Sequence, residues 1–238
     1  MKNIKLNKYT NRAQLFEAVA DTCEKQLAKT IENNDEASFV IPGGTTPAPA
    51  FKLLANSNLE WKKITIAQSD ERWVEADHSH SNQRLTTENL LIDNASTANY
   101  LAMKNSAESC NQGEDYCDQA YKKMPSPFSV TMLGMGLDGH FASLFPGSKE
   151  IEEAMNPANK KLCMSIDATG CQVAGDYPHR MTLTLAGILN SQLIILLITG
   201  KEKLTVIQQA QQSNKPLKQP VAALLNQTET PVEIFWAE

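Results

Sequence analysis

The clearest chemistry in the sequence is a carboxylate and an imidazole two positions apart, Asp138 and His140, in the glycine-rich stretch Gly134-Met135-Gly136-Leu137-Asp138-Gly139-His140. A carboxylate beside an imidazole can orient the ring and stabilise its charged form, leaving it free to take a proton from water. That is the logic of hydrolytic triads, with water as the nucleophile. The plainer alternative is a loop aspartate bonding its own backbone beside an incidental histidine. Of the four histidines in the chain, the one inside this glycine loop is the best candidate for a general base. No Gly-x-Ser-x-Gly elbow is present, so a serine-hydrolase mechanism finds no support.

The same stretch matches the dinucleotide pattern G-x-G-x-x-G, and Glu152 and Glu153 stand where that pattern expects an acid. A true fingerprint opens a long helix in the first βαβ unit. Here Pro146-Gly147 follow closely and cut any helix short. The glycines are therefore read as shaping a tight loop that presents Asp138 and His140, and no cofactor is expected. N–H groups around Gly136 are one source of donors for a developing oxyanion.

A second glycine turn, Gly43-Gly44-Thr45-Thr46-Pro47, sits between a strand and a helix. Its glycines free the backbone to turn N–H groups towards an anion, with Thr46 as cap and Pro47 as first helical residue. A well-capped turn without a ligand is the competing reading, and a Walker A loop is absent. Asp70-Glu71-Arg72, Arg180 in PHRMTLTL and Lys203 in TGKEK add charges that would each, alone, be surface groups. Placed after different strands, such cations suit a phosphate. His78-Ser79-His80 lacks a third ligand at a useful spacing, so no metal is expected.

These residues need a scaffold that brings them together, and the hydrophobic patterning supplies one. Leu15, Val19, Cys23, Leu27 and Ile31 recur at four-residue steps over 11–33, one face of a helix opened by an Asn11/Gln14 capping-box pattern. Short apolar runs SFVI (38–41), ITIAQ (64–68), FSVTML (128–133), LIILLIT (193–199) and VEIFW (232–236) alternate with helical stretches. Several are continuously apolar, as expected of parallel strands covered on both faces. The expected fold is an α/β, Rossmann-like doubly wound, mostly parallel sheet with helices on both faces, formed by a single domain over 1–238. The stretches 74–82 and 146–162 read as insertions. PGGTT, SDER, GMGLDGH and TGKEK all follow strands, so all four can face the crevice beyond the strand ends.

Composition narrows the partners. The net charge is −5 and the pI near 5.5, which speaks against nucleic acid and leaves a small anion held by local cations. Five cysteines without C-x-x-C spacing read as reduced thiols of a cytoplasmic protein. The opening MKNIKLNKYTNRAQLF has no apolar stretch long enough for a signal peptide, and no run suits a membrane span. Both a monomer and a homodimer are compatible with these features.

Taken in order, IPGGTTP, SDERWV followed by HSHSN, LGMGLDGHFASLFPG, PHRMTLTL and ITGKEK resemble the 6-phosphogluconolactonase family. The resemblance runs from about residue 40 to 205, and LGMGLDGH with SLFP is its most specific block. Related glucosamine-6-phosphate deaminases have Asp-Glu-Tyr where this chain has Asp70-Glu71-Arg72, and an Asn-Glu-Pro ending in place of Ser143-Leu144-Phe145-Pro146. The resemblance implies hydrolysis of 6-phospho-D-glucono-1,5-lactone in the oxidative pentose phosphate pathway. His140 would be the base and Asp138 its support. Gly43, Gly44, Thr45, Thr46, Arg72, Arg180 and Lys203 would bind phosphate or lactone oxygens, and Asn82 would join the pocket. Pro42, Thr45 and Phe141 depart from the family's usual residues, and Phe141 would narrow the pocket. The alternatives are a sugar-phosphate isomerase or deaminase with Asp70 as base, and a sugar-phosphate sensor without chemistry.

Overall fold

The computed structural model describes residues 4–238; Met1, Lys2 and Asn3, which open the stretch read above as lacking a signal peptide, lie outside the described residues. Ten strands run in chain order: β1 (Ile4–Lys8), β2 (Ala37–Ile41), β3 (Ile64–Gln68), β4 (Asp70–Arg72), β5 (Asn99–Leu101), β6 (Val130–Leu133), β7 (Cys163–Asp167), β8 (His179–Leu183), β9 (Ile194–Thr199) and β10 (Val232–Ala237). The helices are α1 (Arg12–Asn34), α2 (Ala48–Ala55), α3 (Asn82–Asn89), α4 (Cys110–Tyr121), α5 (Ile151–Ala154), α6 (Leu185–Leu189), α7 (Lys201–Ala210) and α8 (Val221–Asn226).

Seven strands form one parallel sheet in the order β1-β10-β9-β6-β2-β3-β5. The continuous apolar runs are explained by burial on both faces. Along β9, Ile194, Leu196 and Ile198 enter one core while Ile195 and Leu197 enter the other. The apolar stripe of α1 packs on the second core with α2, and α4, α7 and α8 cover the first. The doubly wound expectation therefore holds. Among the described residues no helix is long and apolar enough to cross a membrane.

The sequence reading missed a second, antiparallel sheet, β4-β8-β7, which packs over the first core. SDER follows a strand, as expected, but its residues Asp70–Arg72 are themselves a strand: β4 pairs with β8, Arg72 lying opposite Arg180. Two capping details also differ. Asn11 accepts from the Gln14 backbone N–H at 2.9 Å, but the Gln14 side chain accepts from the Thr10 hydroxyl, so only half the capping box forms. Pro47, not Thr46, occupies the N-cap of α2, and no side chain caps that end.

The strand order reverses direction between β2 and β6, which are neighbours in the sheet. Chain leaving β2 continues towards β3, whereas chain leaving β6 returns to the sheet at β9. Such a switch point leaves a crevice beyond the carboxyl ends of the two strands. PGGTT follows one strand and GMGLDGH the other, so the two glycine turns form its walls.

Candidate active site

The crevice is lined by Gly43, Gly44, Thr46, Asp70, Arg72, Asn82, His140, Arg180 and Lys203, nine of the eleven residues singled out from sequence. Asp138 stands behind His140, on a neighbouring depression. Thr45 faces the adjoining groove beside α3 and does not line the crevice.

His140 Nδ1 lies 2.6 Å from Asp138 Oδ1, and the same oxygen accepts the His140 backbone N–H at 3.2 Å. A carboxylate on Nδ1 fixes the proton there, so the lone pair of Nε2 is the basic one. Burial pulls the Asp138 carboxyl upward, but the hydrogen bond from His140 and the imidazole's charge outweigh it and leave the group below the usual carboxylate range. The glycine at 136 makes this pairing fit. A Cβ there would lie 2.2 Å from His140 Cε1 and 2.7 Å from Asp138 Oδ1. The Gly136 N–H donates to the His140 carbonyl at 2.9 Å, so it tightens the loop and is not free to serve an oxyanion. No helix follows the glycines until Ile151, which removes the basis for a dinucleotide fingerprint.

Phe145, which sequence reading passed over, packs its ring 4.6 Å from the His140 ring and 5.6 Å from the Arg180 guanidinium carbon. Its signal was present in the SLFP block, but an apolar residue in a loop reads as core filler.

The side of the crevice that gathers N–H groups and cations is built from three parts. In the first glycine turn, Gly44 has φ +81°, and among the described residues the N–H groups of residues 43–46 meet no protein acceptor. They stand just ahead of α2, whose dipole favours negative charge. Arg72 and Arg180 sit opposite one another on β4 and β8. Arg180 is only 5% exposed, and its burial, with Arg72 nearby, pulls its pKa down to about 10. It remains a cation at neutral pH. The Nε of Arg72 is buried without a partner. Lys203, half-buried in the first turn of α7, has its ammonium pKa lowered by desolvation. Among the described residues none of these three cations forms an ion pair with a carboxylate. Like charges opposite each other in a ladder repel. An anion between them would relieve that cost.

The carboxylates nearby are occupied. Asp70 accepts from Ser143 Oγ at 2.7 Å and from Ser69 Oγ at 3.1 Å. Glu71 is fully buried and is no surface ion-pair partner. It accepts backbone N–H groups of Arg72, Asn82 and Gln83 at 2.7, 2.9 and 2.8 Å, closing the start of α3 onto β4. Desolvation raises its pKa despite these donors. Asn82 then donates from its amide to the Asp70 carbonyl at 2.8 Å. Glu71 reads in sequence as a surface charge, and Ser143 is invisible as a site residue because its partner Asp70 comes from a distant element.

Comparison with known proteins identifies the family and the fold. A family profile described as glucosamine-6-phosphate isomerases/6-phosphogluconolactonase matches residues 10–236. The 6-phosphogluconolactonase of Rhizobium meliloti (strain 1021) is 34% identical over 229 residues, covering 96% of this chain and 97% of the relative. That of Xylella fastidiosa (strain Temecula1) is 35% identical, covering 98% and 96%. The crystal structure of a 6-phosphogluconolactonase from Shewanella baltica OS155 superposes with a TM-score of 0.93 at 36% identity, over 99% of this chain and 98% of that one.

Proposed function

Because the chain belongs to the glucosamine-6-phosphate isomerase/6-phosphogluconolactonase family, we propose that it hydrolyses 6-phospho-D-glucono-1,5-lactone to 6-phosphogluconate in the pentose phosphate pathway. The observation that carries this reading is a base paired to its orienting carboxylate on a crevice that also holds three cations lacking, among the described residues, any carboxylate partner.

His140 Nε2 takes a proton from water as the water attacks the lactone carbonyl. Asp138 holds the ring and stabilises the imidazolium that forms. General-base help of this kind contributes on the order of 10²–10⁴-fold. Collapse of the tetrahedral intermediate breaks the ring C–O bond, and the His140 proton goes to the departing ring oxygen. Ala142 lines the crevice with φ +48°, and its N–H meets no acceptor among the described residues. It is our candidate donor to the oxyanion in place of Gly136. The N–H groups of Gly43, Gly44 and Thr46, with Arg72, Arg180 and Lys203, hold the phosphate, and Asn82 fixes the wall between them.

The isomerase or deaminase alternative needs Asp70 as a free base. Its two oxygens already accept from two serines, which favours the lactonase. The five cysteines are free thiols, four of them buried, as suits a reducing compartment, and we place the enzyme in the cytoplasm.

A direct assay tests the proposal. Phosphogluconolactone is generated in place from glucose 6-phosphate and its disappearance is followed with the native chain and with His140→Ala. Fast hydrolysis by the native chain alone is expected. No acceleration over the spontaneous reaction by folded protein would refute the activity.

A further inference from the structure

The two arginines are tethered by two different loops, and the loops are fastened to each other. Arg72 Nη1 donates to the His80 carbonyl at 2.6 Å. Arg180 Nε donates to the Tyr177 carbonyl, and its Nη2 to the Ala174 carbonyl at 2.8 Å. The Tyr177 ring lies 4.7 Å from the His80 ring and 5.1 Å, edge-on, from the His78 ring. Its hydroxyl is 3.3 Å from His78 Nε2. The His80 N–H donates to His78 Nδ1 at 3.1 Å, so a neutral His78 carries its proton on Nε2 and donates to the tyrosine oxygen. With Arg72 opposite Arg180 in the ladder, these contacts close a ring: Arg72, His80, Tyr177, Arg180 and back through β4 and β8.

We propose that His78, His80 and Tyr177 form a clasp of positioning residues that fixes the guanidinium pair for the substrate's phosphate; the proposal rests on the sugar-phosphate reading above. Two like charges set side by side tend to splay apart, and a free arginine side chain must be ordered when an anion arrives. Tethering each guanidinium to a loop, and each loop to the other, orders them beforehand. None of the clasp's contacts reaches His140 or Asp138, so it acts on affinity and not on the chemical step. The His-Ser-His stretch thereby gains a role that needs no metal.

Calorimetric titration with 6-phosphogluconate and with gluconate tests this on the native chain and on Tyr177→Ala, Tyr177→Phe, His80→Ala and the Tyr177→Ala/His80→Ala double variant. Steady-state kinetics on the phosphorylated lactone accompany it. Tyr177→Ala should raise Kd for 6-phosphogluconate, and KM, roughly three- to tenfold, with kcat within about twofold. Tyr177→Phe keeps the ring contacts and should recover most of the loss. His80 is exposed, so its truncation leaves the fold intact and carries the same test should Tyr177→Ala fail to fold. Members of one unit lose affinity non-additively, so the double variant should bind no more weakly than the weaker single. An unchanged Kd, a matching fall in kcat, or additive losses would overturn the clasp. A native chain that binds gluconate as tightly as 6-phosphogluconate would overturn the sugar-phosphate reading itself, and the clasp's role with it.

Discussion

A Cβ on Gly43 would lie 2.0 Å from Asn82 Oδ1, so the glycine of one loop and the amide of the next occupy a single space. Contact at that distance cannot be absorbed by small shifts. Gly43→Ala must push Asn82 away and break its bond to the Asp70 carbonyl. Overpacking of this kind costs about 1–3 kcal/mol. The variant should melt earlier and show a raised KM, measured by thermal unfolding and steady-state kinetics; a native melting curve with native KM would contradict the packing.

His140→Ala should leave folding and 6-phosphogluconate binding nearly intact while lowering kcat on the order of 10²–10⁴-fold. Calorimetry and initial rates on the same preparation separate the two effects. Loss of folding in step with activity would mark His140 as structural.

The lowered pKa of Asp138 gives a pH signature. A carboxyl whose folded pKa lies below its unfolded value, about 3.9, contributes stability that is present above that value. The contribution is lost as pH falls through the lowered folded pKa. Asp138→Asn should therefore melt earlier than the native chain at pH 7, and the gap should close as the pH falls through the lowered folded pKa of Asp138. Melting temperatures from pH 7 into the acid range decide it, and a gap of constant width would contradict the assignment.

Arg72→Ala should discriminate between substrates. A charge-assisted hydrogen bond is worth about 1.5–3 kcal/mol, or roughly 10- to 100-fold in affinity. KM should rise by that factor for the phosphorylated lactone and stay near native for plain gluconolactone. An unchanged preference between the two would remove Arg72 from the phosphate site.

Glu71→Ala would leave three backbone N–H groups without their carboxylate, that of Arg72 on β4 and those of Asn82 and Gln83 at the start of α3. Stability should fall by about 3 kcal/mol, read from denaturant unfolding. Native stability would mean that water or Ser81 replaces the carboxylate.

The parts of the molecule legible in sequence were those where burial is symmetrical or chemistry is local. SFVI and LIILLIT read as parallel strands because both faces are covered, which forces apolar residues at every position. Asp138 and His140 were legible because two positions and a glycine suffice to pair them. DER could not be read as a strand, since three charged residues carry no strand signal and β4 exists through its pairing with β8. Ser143 and Tyr177 escaped notice for the same reason. Each earns its place through a partner far away in the chain.

The sheet's edge has a consequence for how the protein is made. Among the described residues β1 has only β10 as a neighbour in the sheet, and the Lys5–Glu233 contact joins residues 228 positions apart. A nascent chain emerging from the ribosome therefore holds β1 unpaired until everything between Lys8 and Val232 has been made. Pairings of such long sequence separation form slowly. Until β10 arrives, the flank of β9, one of the most apolar strands, stands open to other chains. Removing VEIFWA would leave the molecule permanently in that condition, a strand without its mate on one side and an adhesive edge on the other.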